Sequence, residues 1–106
     1  SDFPPTDFHS ATRIGDAVYI IGNLGYMTER KPGVTPVYRL NLKNYTVAEV
    51  VTTGDNPGWI SGHIARIEHG NIILDGGQVW DGNDLIPSSS QWALDMGTLT
   101  WTQWTD

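Results

Sequence analysis

The sequence predicts an all-β protein built as two copies of one four-stranded antiparallel unit. Three observations carry this. The first is an internal repeat: "HSATRIGDAVYIIGN" from His9 aligns without a gap on "HIARIEHGNIILDGG" from His63, a spacing of 54 residues. The second is alternation of apolar and polar residues over short runs, as in "VYRLNL", where Tyr38, Leu40 and Leu42 share one face, and in "WALDM", where Trp92, Leu94 and Met96 do. The third is punctuation: 12 Gly and 6 Pro in 106 residues leave no window with a helical period free of breakers.

The elements follow in order. Residues 9–14 and 17–22 read as a hairpin across the tight Gly15-Asp16 turn, and residues 36–42 and 45–51 as a second hairpin across Lys43-Asn44. The second copy repeats them at 63–68, 71–76, 90–96 and 99–104, with His69-Gly70 and Gly97-Thr98 at the turns. The register holds across the loops between the hairpins. Val18 falls on Ile72, Ile20 on Leu74, Tyr38 on Trp92, Leu40 on Leu94 and Val47 on Trp101. Residues 1–54 and 55–106 are therefore the two units.

One position breaks the pattern. Asp75 stands in "NIILDGG" where the first copy has Ile21. A carboxylate at an apolar position is costly to bury without partners. The expectation is a partly buried structural acid, less exposed than Asp81 or Asp84, held by backbone N–H groups, Arg66 or His63.

Four short strands, "HSA" and "HIA" in the first, Gly76-Gly77 after the second, Tyr38 and Trp92 in the third and Trp101 in the fourth resemble the kelch repeat. The first copy departs from it at Asn23, which replaces the second glycine. The resemblance implies that each copy is a β-propeller blade. Propellers use about 4–8 blades, so two blades imply a partner: further copies of this chain closing a ring as a homo-oligomer, or the missing blades of a longer parent chain. It also implies a binding module for a protein or peptide. The alternatives are a carbohydrate-active enzyme similar to the kelch-type sialic acid mutarotases, or a purely structural half-propeller.

Composition removes several classes. A net charge of -6 argues against nucleic acid or an anionic membrane as the main partner. The absence of cysteine excludes disulfides, thiolate metal sites and Cys nucleophiles, and with them the copper oxidases of related fold, which need a Cys–Tyr cofactor. No catalytic set, metal site or cofactor is implied. "GWISG" around Ser61 lacks the G-x-S-x-G spacing, and "DGNDL" lacks the ligand spacing and terminal Glu of an EF-hand. Asn44-Tyr45-Thr46 is a glycosylation sequon, of use only in a protein secreted from a eukaryotic cell.

Function is expected on one rim. Antiparallel pairing sends the loop between the second and third strands, and the loop between units, to the same edge of the sheets. These are the long loops, "NLGYMTERKPGVT", "TGDNPGWISG" and "QVWDGNDLIPSSS". Long loops on a rigid scaffold are where binding concentrates. The candidate binding residues are Trp59, Trp80, Tyr26, Arg30, Asp81 and Asp84. Trp59 and Trp80 should share a side, and at least one ring should face solvent. His9 and His63, at matching positions, are expected to make a structural hydrogen bond copied with the unit.

Overall fold

The computed structural model describes residues 9–22, 31, 33–88 and 90–104. Among them lie eleven β-strands and no helix: β1 (Ser10–Ile14), β2 (Ala17–Ile21), β3 (Val37–Asn41), β4 (Val47–Glu49), β5 (Trp59–Ser61), β6 (Ile64–Glu68), β7 (Asn71–Asp75), β8 (Gln78–Trp80), β9 (Leu85–Pro87), β10 (Gln91–Asp95) and β11 (Thr100–Trp104). They form three antiparallel sheets, none closed into a barrel. The first has the order β1-β2-β3-β4, the second β11-β10-β7-β6, and the third β5-β8-β9.

The two four-stranded sheets reproduce the repeat. Strands β1, β2 and β3 map onto β6, β7 and β10 at the spacing of 54, and β4 maps onto the middle of β11. The turns repeat as well. Tyr45 and Leu99, one repeat apart, both have positive φ (57° and 55°). Each donates its amide back four residues, Tyr45 to the Asn41 carbonyl and Leu99 to that of Asp95, both at 2.7 Å. The strain of a left-handed non-glycine residue is thus built into the same turn twice. That turn shortens β4, which starts at Val47 and not at residue 45.

The third sheet is an addition to the expected fold. Its strands are three residues each and come from the loop between units and the loop between the second and third strands of the second unit. Three residues are too few for a period-2 pattern to stand out against a loop rich in Gly and Pro.

A four-stranded sheet cannot hide its apolar face alone. Here one face of each sheet covers the other. Tyr19, Ile21, Val37 and Val50 of the first unit meet Ile72, Leu74, Leu94 and Trp101 of the second, and Ile60 of β5 closes the same cluster. Ile21, Ile72 and Leu94 are fully buried, and Trp101 retains 1% of its surface. The segment between the units secures this packing at the outer edge. Thr53 lies alongside β11 in a parallel bridge to Thr100, the Trp101 amide donates to the Thr53 carbonyl at 2.8 Å, and the Trp101 indole donates to Thr52 Oγ1 at 3.1 Å.

Trp101 is therefore the side chain on which the seam closes. Trp101→Ala should cost about 3–5 kcal/mol, the usual loss for a buried aromatic. Thr52→Val, which strands only the indole N–H, should cost about 1–3 kcal/mol. Urea titration of both variants gives the two values, and a Trp101 loss below 1 kcal/mol would refute this account of the seam.

Candidate functional site: the loop rim and the seam beneath it

The long loops do gather on one edge. Thr35, at the end of the loop entering β3, places its hydroxyl 2.8 Å from the Gly58 carbonyl and 3.1 Å from Asn56 Oδ1. Asn56 Oδ1 in turn accepts the Gly58 amide at 2.8 Å. The third loop joins them through the sheet, since β8 pairs with β5 and places Trp80 opposite Trp59. The two tryptophans therefore share a side, as the topology requires. Their exposure is a correction. Trp59 keeps 5% of its surface and Trp80 keeps 6%, so neither ring faces solvent. Three strands brought together by backbone pairing need an apolar face to hold, and the tryptophans supply it.

Tyr26 and Arg30 lie outside the described residues, as does Asn23. Asp81 and Asp84 are both exposed. Asp81 Oδ1 accepts the amides of Asn83 and Asp84, each at 2.8 Å, and its own amide donates to the Asp84 carbonyl at 3.1 Å. Those amides hold the Asp81 carboxyl below the usual range. The pair forms a self-contained Asx turn at the loop tip. Among the described residues no group of three or more His, Asp or Glu could hold a metal ion.

A groove of about 740 Å³ opens where the rim meets the first unit, lined among others by Lys31, Thr35, Tyr38, Glu49, Asn56 and Trp59. Sequence reasoning named Trp59 and Lys31 here and missed as groove residues Tyr38 and Glu49, which stand on β3 and β4, and Thr35 and Asn56 in the loops that lead into β3 and β5. Burial, and secondarily the Glu49 carboxylate, raises the Tyr38 hydroxyl above its ordinary pKa. Tyr38 is thus a protonated donor next to an acceptor, with the Lys31 ammonium on the same wall. The lining offers positive, negative and hydroxyl groups beside the apolar side chains of Val50 and the exposed Val51.

Beneath the rim, His63 makes the contact between units at the inner edge. It is 7% exposed and its Nε2 lies 2.9 Å from Ser10 Oγ on β1. The Ser10 hydroxyl also lies 3.4 Å from the Ile21 carbonyl, and the direction of the His63–Ser10 bond follows the imidazole tautomer. Nδ1 is buried without a partner. The bond crosses from one unit to the other and bears out the structural hydrogen bond expected of His63. His9 itself is exposed. The His63 ring lies over Gly22, whose φ is +89° and whose Cβ, had it one, would collide with His63 Cε1 and the Ile60 carbonyl.

Asp75 behaves as its sequence position requires. It is half-exposed, less so than Asp81 and Asp84, and its Oδ2 accepts Gln91 Nε2 at 3.1 Å. Arg66 Nη1 stands 3.7 Å away. Arg66 also pairs through Nε with Glu68 Oε2 at 2.8 Å and through Nη2 with Gln91 Oε1 at 3.3 Å. His63 is not among the partners of Asp75.

No family model matches the chain, and no curated protein does. Solved structures do match. One of them, a structure of YjhT, superposes with a TM-score of 0.73 at 15% identity, over 93% of this chain and 37% of that one. At that identity the likeness shows the fold alone, and this chain spans little more than a third of the length of that chain.

Two outcomes follow. Trp59→Ala and Trp80→Ala should each lower stability by about 3–5 kcal/mol, as buried aromatics do, and thermal melts that leave both variants near the parent would return the rings to the surface. Burial holds His63 down to about 4 from 6.5, with the Ile21 carbonyl opposing and His9 reinforcing the shift. The unfolded chain therefore binds a proton that the folded one refuses between pH 6.5 and 4. Stability from this group is complete above pH 6.5 and falls as the pH drops through that window, by roughly 3 kcal/mol in total. His63→Gln should start lower and lose this slope in urea titrations from pH 7 to 4.5.

Proposed function

We propose that the chain is a two-blade stretch of a kelch-type β-propeller that works as a recognition module, binding a protein or peptide in the rim groove without catalysing a reaction. The observation that carries this is the groove itself. Its lining comes from the loop that enters β3, from β3 and β4 and from the loop between the units, and it combines Lys31, Glu49 and the Tyr38 hydroxyl with Val34, Val50 and Val51. Mixed charge beside apolar side chains suits a peptide, whose backbone supplies amides and carbonyls. The repeat at 54 residues, the matching strand order of the two sheets and the likeness to a structure more than twice as long support the blade reading.

The carbohydrate-active alternative rested on tryptophan rings for stacking on a sugar. It also rested on scattered carboxylates; the burial of Trp59 and Trp80 in the third sheet favours the peptide reading over it.

Selection of a displayed random-peptide library against the chain tests the proposal. Peptides that enrich should lose about tenfold or more in affinity to the variant Glu49→Lys, which reverses one wall while leaving the exposed edge of β4 folded. A tenfold loss corresponds to about 1.4 kcal/mol, within the usual range for an interface contact. Peptides that bind the variant and the parent alike, or no enrichment at all, would defeat the reading.

A further inference from the structure

The last strand of a sheet carries backbone donors and acceptors that its own sheet does not use. β4 is such a strand, at the end of the order β1-β2-β3-β4. Its bonds to β3 fix which groups face outward. The Val50 amide donates to the Val37 carbonyl and the Asn41 amide to the Thr46 carbonyl, both at 2.8 Å. Thr46 and Val50 therefore turn their backbone toward β3. Antiparallel alternation turns Ala48 the same way and aims the amides and carbonyls of Val47 and Glu49 at the open side. Among the described residues no strand pairs there.

The second unit shows what this edge accepts. There the outward amide of Trp101, counterpart of Val47, donates to the Thr53 carbonyl at 2.8 Å, and the Thr53 amide donates to the Leu99 carbonyl at 3.0 Å. An extended segment thus already lies against the outer strand of one unit, as the parallel bridge of Thr53 to Thr100 records. It reaches only the start of β11, so a segment seated likewise on β4 would leave Glu49 open. The third sheet offers a poorer edge, because β9 contains Pro87, which has no amide to give.

Two hollows meet at the same strand. The rim groove reaches Tyr38 and Glu49, which pair across β3 and β4 and share one face. A second hollow of about 320 Å³ takes in Tyr19, Arg39 and Ala48, a row across three strands on the opposite face, together with Leu99 of the second unit. Glu49, Val50 and Val51 line both. Arg39 is exposed, and among the described residues it makes no ion pair. Ala48 stands between Arg39 and the open edge and is too small to screen the guanidinium from it.

We propose that the peptide bound by this chain adds to β4 as a fifth strand of the first sheet, hydrogen-bonded to Val47 and Glu49, with an acidic side chain beside Arg39 and a basic one, at the adjoining residue, beside Glu49. Successive side chains of a strand point to opposite faces, so neighbouring residues of the peptide meet the two hollows in either strand direction. Strand addition draws affinity from the main chain and specificity from alternate pockets, and β4 supplies both. The inference rests on the peptide-recognition reading above and names how the peptide sits and what side chains it carries.

The test uses the most enriched peptide of the display selection, synthesised with blocked ends. Amide exchange followed by NMR should show the Val47 and Glu49 amides slowing at least tenfold when the unmodified chain is saturated with it. Methylating the peptide nitrogens one at a time should weaken binding about tenfold or more at every second position and little at those between. Arg39→Gln should weaken the same peptide about tenfold, and a peptide whose acid is replaced by the amide should bind variant and unmodified chain alike. Circular dichroism checks the fold of Arg39→Gln, and the exchange measurement needs no variant. Unchanged exchange at Val47 and Glu49 under a peptide that binds, or methylation losses without alternation, would overturn strand addition and leave the recognition reading standing. An affinity untouched by Arg39→Gln would overturn the placing of the acid. A selection that enriches no peptide defeats both readings. Protection of the two amides without peptide, in a chain of dimer mass, would overturn the proposal by giving the edge to a second copy.

Discussion

Everything in this molecule depends on a face-to-face contact between two small sheets. Each has four strands of three to five residues, and neither could bury an apolar face by itself. Packed together they enclose Ile21, Val37, Ile72, Leu74, Leu94 and Trp101 with 1% or less of each side chain exposed. Burying a large apolar side chain is worth about 1.5–3 kcal/mol, so this seam outweighs the exposed ion pairs, which contribute about 0.2–1 kcal/mol each. The other devices serve it. Thr52 and Thr53 clamp its outer edge through Trp101, and His63 clamps its inner edge through Ser10.

The histidine clamp shows what such a position demands. A charged imidazolium at the seam would be buried over Gly22, and burial disfavours that form. The neutral ring satisfies Nε2 through Ser10 and leaves Nδ1 unmatched. Gly22 makes the fit possible, because any side chain there would occupy the volume of the ring. Gly76, its counterpart, has nothing within 4 Å of a Cβ position. The same glycine is thus a socket in one unit and open in the other.

Much of the architecture was legible because a repeat tests itself. Two independent stretches proposing the same strands, turns and faces leave few alternatives, and the register from His9 to Val47 and from His63 to Trp101 survives intact. What the repeat could not reveal was what breaks it. Among the described residues the third sheet has no counterpart in the first unit, and its three-residue strands carry no period. Trp59 and Trp80 therefore looked like loop aromatics, although each closes a sheet whose pairing joins residues about 20 apart. The partner of His63 was hidden for a related reason: the contact lies between units, and aligning the units compares them without placing them. Asp75 was legible in chemistry, as an acid needing a partner, because Arg66 stands on the neighbouring strand.

Asp75 and Ile21 also show how one scaffold position acquires two meanings. The backbone treats them alike, each being the last residue of a second strand. The environment does not. Ile21 looks into the seam and must be apolar. Asp75 looks out, where an isoleucine would leave a sticky face and where Arg66 and Gln91 supply donors.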